Sequence, residues 1–489
     1  MHDDRRNYNF RSGGGNPANR PNPSGPQNPQ RPPQQNPQRP AQPAPRGQQT
    51  PVDPRAARPA QAARPQTSRS ASSQAVVRRQ SRAVAKAPAK LDSGFVSFWK
   101  RTFAVDPSVF EQRDLVREKG SVDYIFLILV LILLAFGTVM VYSASYAYSM
   151  QEYGDSYYII FRQFLFIFVG FIGMIIASRI PPEIYKKFTI AYYIVSFFLL
   201  CLVPIPGIGV VHHGARRWLS LGFVEIQPSE FMKLGLVLML AWYFDRYYER
   251  VTDKTNLVRA SFFGSFVPLA ITGITCVLIL LERHLSCTII MFMIGVITIF
   301  ASGTPLRLLL TLGAIGAGGL GIFSIVTDYT KRRIDIWLHP ENDPQGAGYQ
   351  TLQSLYAIGS GGVFGMGLGE SRQKYLYISQ PQNDFIFAVL CEELGLIGAV
   401  AVIMLFILFV WRGFIIAMKA PDTFSSLTVI GIVGKVALQS MLNIAVVTNS
   451  IPNTGISLPF FSYGGSSLCV LMVEMGIVLS ISRFSKQQK

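Results

Sequence analysis

Asp384 is the residue in this chain best placed to do chemistry. It is followed directly by Phe385-Ile386-Phe387 at the start of a long apolar run. A carboxylate at a membrane edge is costly without a role or a partner. Partial desolvation there raises its pKa towards that of a useful general base. The competing reading is a helix cap, since Asp is a favoured N-cap residue and Asn383 stands beside it. Two further acids, Glu392 and Glu393, lie eight and nine residues along the same run. At helical rise they sit about two turns deeper, where they would bind a cation or pair with Lys233 or Lys435. Cations are the other half of the set. Arg216-Arg217 stand in a short, otherwise apolar loop, and Gln373-Lys374 in a Gly-rich one. Positive charge on that side suits an anionic ligand, although long loops cross a membrane regardless of charge.

The elements that must position these residues are membrane helices. A span needs about 20 apolar residues, and ten segments qualify: 122–147, 158–178, 188–207, 228–244, 261–281, 285–302, 308–327, 385–411, 425–449 and 466–482. The expected fold is therefore an all-α polytopic membrane protein of about ten helices, with a large extracytoplasmic loop between helices 7 and 8. Arg179, Lys186, Lys187, Arg246, Arg250, Arg412, Lys419 and Arg483 fall on one side. By the positive-inside rule that side is cytoplasmic, with both termini inside. The protein is expected in the cytoplasmic (inner) membrane.

Three segments on the opposite side are dense in turn and polar residues: 212–233, 346–387 and 452–467. The third reads Pro452-Asn-Thr-Gly-Ile-Ser-Leu-Pro-Phe-Phe-Ser-Tyr-Gly-Gly-Ser-Ser467. It is too apolar for a soluble loop and too broken for a helix. Irregular backbone at membrane depth survives only buried in protein or lining a cavity. Its hydroxyls, Ser457, Ser462, Ser466 and Ser467, are ligand-binding or helix-capping candidates.

Residues 1–90 differ in kind. They hold 16 of the 30 prolines and +13 of the formal +17 charge, leaving the body near +4. Such a stretch cannot bury enough apolar surface to offset chain entropy. Residues 1–92 are expected to be a disordered Pro/Arg-rich cytoplasmic tail, suited to an acidic protein or anionic lipid. No nucleic-acid motif occurs in it. Residues 93–120, with Phe95, Phe98, Trp99, Lys100, Arg101 and Phe103, form a juxtamembrane segment suited to membrane lipids. Residues 121–485 are the membrane domain. Cys201, Cys276, Cys287, Cys391 and Cys469 all lie in or beside apolar runs and show no pairing logic or metal spacing.

The motifs GARRWLSLG with IQPSEFMKLG, GYQ with QSLYAIGSGG and GLGESRQK, DFIFAVLCEELGLIG, and NTGISLPFFSYGGSS resemble those of the SEDS family. These are the shape, elongation, division and sporulation proteins (FtsW, RodA, SpoVE) that polymerise peptidoglycan. The resemblance covers about residues 120–485, and the long tail is more like the division-type FtsW branch. It implies a peptidoglycan glycosyltransferase that joins lipid II into glycan strands at the outer face, by inverting displacement of undecaprenyl pyrophosphate. It implies Asp384 as the catalytic residue. Arg216, Arg217, Lys374, Gln373, Ser462 and Ser466 are its substrate-binding candidates, and Glu230, Lys233, Glu392 and Glu393 structural or coupling residues. No metal ligand is assigned and no cofactor is certain, a divalent cation (Mg or Mn) being left open. The partners implied are a class B penicillin-binding protein and other divisome or elongasome proteins.

The chain departs from the family pattern at Ser379-Gln-Pro-Gln-Asn383, where Pro-Glu-x-His-Thr is usual. It departs again at Glu282-Arg-His284, in place of a Gln-Pro-Asp-like turn, and at Asn449, in place of glycine. A histidine mechanism, or a cation site on that aspartate, is in doubt here. His284 reads as a boundary residue rather than a metal ligand. Two other functions use the same features: a lipid II flippase or other transporter, and a non-catalytic divisome scaffold. Inverted repeats would favour the first, and none is evident. The dense polar loops argue against the second.

Overall fold

A computed structural model describes residues 120–212, 215–220, 222, 225–252, 256–282, 284–304, 310, 334–346 and 348–484. The tail expected over 1–92, nearly all of 93–120, the expected span 308–327 and the basic run 331–333 lie outside the described residues.

Nine of the ten expected spans coincide with described helices. These are α1 (Tyr124–Tyr153), α2 (Tyr158–Arg179), α3 (Pro182–Leu202), α4 (Pro228–Arg246), α5 (Val258–Leu281) and α6 (Leu285–Ala301). After α7 (Tyr349–Gly361), which was not expected as a span, come α8 (Ile386–Met418), α9 (Thr423–Val447) and α10 (Gly465–Arg483). Seven of them, α1, α2, α3, α5, α8, α9 and α10, are long and apolar enough to cross a membrane. α6 is apolar but short, at 17 residues. α4 has 19 residues and carries Glu230 and Lys233 inside it, which lowers its hydropathy.

Burial separates centre from rim. In their most apolar stretches, α9 and α10 are 72% and 78% buried, while α2 and α3 are 28% and 17% buried. The polar residues of α9 and α10 therefore face protein, and the apolar residues of α2 and α3 cover the outside. At the end of the bundle where α1, α8 and α10 carry Asp123, Arg412 and Ser482, those three helices are tied together. Arg412 Nε and Nη2 donate to the Asp123 carboxylate at 2.9 and 2.7 Å, and Asp123 N–H donates to Ser482 Oγ at 3.0 Å.

At the opposite end the helical fold adds a small sheet. β1 (Gly209–His212), β2 (Ala215–Ser220) and β3 (Glu225–Ile226) pair antiparallel in that order. The turn and polar residues of this stretch predict only a loop. The strands are too short and irregular, with a bulge at Val210/Val211, to show a clear two-residue period.

α8 breaks at Gly395, with φ 64° and ψ −164°. The loop after α7 repairs the break. Met366 and Gly367 N–H donate to the carbonyls of Glu392 and Glu393 at 2.9 and 3.0 Å. In return, Leu396 and Ile397 N–H donate to the carbonyls of Gly362 and Val363 at 2.9 and 3.2 Å. These four bonds replace helix bonds lost at the break, as a low-dielectric site demands. A Cβ on Gly395 would stand 2.3 Å from Gly365 N, and its backbone angles belong to a region open essentially to glycine alone. Gly395→Ala is expected to lower the thermal midpoint in detergent, with a strain cost of about 1–3 kcal/mol before the clash is counted.

Asn449, where the family pattern has glycine, keeps a left-handed φ of 55°, which Asn tolerates. Its side chain donates to Trp337 O at 3.1 Å, and Trp337 Nε1 donates back to Asn449 O at 3.0 Å. The substitution thus fastens residue 337 to the end of α9.

Candidate functional site

The three polar segments meet in one cavity of about 210 Å³. β2 contributes Arg217 and Trp218. The start of α4 contributes Gln227, Glu230 and Lys233, and the α5–α6 turn contributes His284 and Ser286. Asn383 and Asp384 enter just before α8, Gln439 from α9, and Gly455, Ser457, Tyr463 and Ser467 from the broken segment. Residues more than 200 positions apart are thus gathered at one end of the bundle.

Asp384 lies before the helix it introduces. The cap position of α8 is Phe385, with no side-chain capping bond, so Asp384 is not the N-cap. Burial pushes its carboxyl up to about 6, against the opposing pull of the Arg217 guanidinium. Gly455 packs behind it: a Cβ there would stand 3.2 Å from Asp384 Oδ2.

Arg217 also acts on Glu282. That acid is 2% exposed, and neither carboxyl oxygen has a hydrogen-bond partner among the described residues. Burial pushes it up to about 8, again opposed by Arg217. At neutral pH Glu282 is mostly protonated, which lets two acids share one guanidinium without mutual repulsion. His284 is pushed down to about 3, by burial first and then by Arg217 and Lys233, so it presents a neutral imidazole. It lines the cavity, whereas the sequence suggested only a boundary residue.

Lys233 Nζ donates to Glu230 Oε1 at 2.7 Å on the cavity wall. Beneath them the Lys435 ammonium donates to the Glu474 carboxylate. Both residues of this lower pair are buried.

The other expected site residues lie elsewhere. Arg216 is not among the cavity-lining side chains, and its Nη1 donates to Pro204 O at 3.4 Å. Lys374 is buried beneath its loop, with Nζ at 3.1 Å from both Glu393 Oε1 and Ser143 Oγ; it is an internal counter-ion rather than a ligand for substrate. Its partner corrects the pairing expected for the acids, which are bound to neither Lys233 nor Lys435. Glu392 accepts from Ser371 Oγ at 2.5 Å and from the Arg372 and Gln373 N–H groups at 3.0 and 3.3 Å. Gln373 is held there by its backbone and does not line the cavity. Ser462 Oγ accepts from Leu458 N–H and donates to Asn383 O, both at 2.7 Å. Ser466 Oγ accepts from Gln227 N–H at 3.3 Å. Both hydroxyls tie backbone segments together.

The cost of leaving Glu393 unpaired is testable. Lys374→Met should destabilise the protein by about 3–5 kcal/mol, the usual penalty for an orphaned buried charge. Thermal unfolding in detergent would show it, and Lys374→Met combined with Glu393→Leu should recover much of the loss.

Sequence reasoning missed Trp218, Gln439, Asn443 and Tyr463. Gln439 and Asn443 carried a usable signal: two amides one turn apart in an otherwise apolar span. Among the described residues, no group of three or more His, Cys, Asp or Glu is arranged to hold a metal ion. The acids nearest the cavity are set against arginine or lysine, a poor donor set for Mg or Mn.

Comparison with known proteins shows the family and the fold. Residues 123–487 match the FtsW/RodA/SpoVE family model, described as a cell cycle protein. Stage V sporulation protein E of Bacillus subtilis is 41% identical over 370 residues, covering 76% of this chain and 99% of that protein. A probable peptidoglycan glycosyltransferase FtsW of Geobacter sp. is 36% identical over 367 residues, covering 75% and 98%. Among solved structures, a chain of a peptidoglycan synthase complex that coordinates polymerization and crosslinking superposes with TM-score 0.61 at 26% identity, covering 75% of this chain and 99% of that one. The rod shape determining protein RodA of Thermus thermophilus gives 0.54, also at 26% identity, covering 75% and 98%.

Proposed function

Because this chain belongs to the FtsW/RodA/SpoVE family of cell cycle proteins, we propose that its cavity is a peptidoglycan glycosyltransferase site, polymerising lipid II for cell division or shape. The observation that carries the reading is Asp384 beside Arg217 in a polar cavity at one end of a multi-pass membrane bundle. The protein sits in the cytoplasmic membrane with that end outward and both termini inside, since the opposite end carries Arg179, Lys186, Lys187, Arg246 and Lys419.

An α-linked donor and a β-1,4 product require one inversion, hence a single in-line displacement. The acceptor's 4-hydroxyl attacks the anomeric carbon of the growing strand while the bond to lipid pyrophosphate breaks. Asp384 takes the hydroxyl proton. A base whose pKa is near 6 is ionised at neutral pH yet basic enough to contribute. Arg217 faces the leaving pyrophosphate, where its planar fork matches two phosphate oxygens. Lys233, already on the wall, adds positive charge on the same side. The same guanidinium charge favours the ionised Asp384 before the step and the added negative charge of the leaving group during it.

A class B penicillin-binding protein is the crosslinking partner, a reading supported by the likeness to a peptidoglycan synthase complex. Purified protein reconstituted with that partner and given lipid II should form glycan strands. A preparation that moves lipid II across the bilayer but forms no strands would replace this reading with a flippase.

A further inference from the structure

We propose that Asn443 is the positioning residue that holds Asp384 in its working geometry, by tying the base-bearing segment and the broken 452–464 segment to the centre of the bundle. This rests on the glycosyltransferase reading of the cavity. Asn443 is fully buried on α9, one of the two most enclosed helices. Its single amide nitrogen donates twice, to Asp384 O at 2.7 Å and to Ile456 O at 2.6 Å. Ile456 follows Gly455, the residue packed against the Asp384 carboxylate. One side chain thus sets both the backbone of the base and the wall behind it.

The surrounding bonds do not duplicate this role. Gln439, one turn earlier, donates to Ser457 O and Oγ at 3.1 Å and so fixes the segment next door. Ser462 Oγ reaches Asn383 O, and Tyr463 N–H reaches Gln382 O at 2.8 Å. These hold the two segments to each other; among the described residues, Asn443 is the side chain that ties Asp384's own carbonyl to a neighbouring helix. Removing it would leave two carbonyls without their donor and free the base to drift. A displacement of about 1 Å in a reacting group costs on the order of 10²-fold in rate.

The test uses the full chain, reconstituted with its class B partner and given lipid II. It compares wild type, Asn443→Ala and Asn443→Asp, with thermal unfolding recorded for each. Asn443→Ala should lower kcat by roughly 10–100-fold while KM stays within about twofold, because Asn443 touches no substrate. Asn443→Asp supplies the reading that a merely structural role would not move. Protonated, the new carboxyl keeps one donor. Ionised, it turns an acceptor towards two carbonyls.

Its rate should therefore fall again at high pH, giving a bell where wild type gives a plateau. The charged and titratable groups around the pair are Arg217 from β2, Glu282 and His284 from the α5–α6 turn, Glu230 and Lys233 from α4, Cys287 from α6, Tyr463 from the broken segment, and Lys435 on α9. All are the same in both proteins. Wild-type kcat in folded Asn443→Ala, or a plateau in Asn443→Asp, overturns the proposal and leaves the glycosyltransferase reading intact. If Asn443→Ala does not fold, the profile of Asn443→Asp decides alone. Absence of strands from wild type overturns both.

Discussion

Asp384→Asn is expected to reduce strand formation by about 10²–10⁴-fold, the contribution of a positioned general base, while the protein folds normally. The amide has the same shape, relieves the burial of a charge, and cannot accept the proton. Lipid II binding should change little, so the loss falls on kcat. In wild type the rate should rise about tenfold per pH unit below 6 and level off above, since the carboxyl titrates near 6 and only its ionised form is a base. A rate in Asp384→Asn within a few-fold of wild type, or a wild-type profile flat from pH 5 to 8, would remove Asp384 from the base position.

Arg217→Ala is expected to have the second-largest effect, in two separable parts. Loss of charge at the leaving pyrophosphate should cost about 10²–10³-fold at all pH values. Arg217 is also the charge that opposes burial at Asp384. Without it the base's pKa rises, so the acid limb of the profile moves to higher pH. At pH 6.5 the variant should therefore be further below wild type than at pH 8.5. Arg217→Lys should restore the limb, because the charge returns, but only part of the plateau, because an ammonium lacks the bidentate fork. A limb that does not move in Arg217→Ala would show that the guanidinium acts elsewhere.

The two residues on which these predictions turn differ in how they could be found. Asp384 was legible as an acid at the edge of an apolar run, but its helix-cap alternative was equally legible. Only the position of the cap at Phe385 separated them. Arg217 and Arg216 were indistinguishable as neighbours in one loop. The sheet decided between them, sending one into the cavity and the other to Pro204. Gln439 and Asn443 read as ordinary polar residues of a span until their acceptors, in segments remote from α9, are known.

The class of the molecule is written in its residues. Apolar runs of span length, broken segments at one side and lysines and arginines at the other follow from the bilayer acting as solvent, which constrains each helix separately. The motifs located the three segments that build the site. Tertiary structure alone decided which charge meets which. Lys374, a substrate-binding candidate by its loop position, is the counter-ion of Glu393. Glu230 pairs with Lys233, and Lys435 with Glu474, so the expected pairings of Glu392 and Glu393 with those lysines do not form. A buried charge must find an opposite charge or a donor, but a sequence states only that requirement. Which partner satisfies it depends on which helices pack together, and at Gly395 on a loop that repairs a broken helix from thirty residues away.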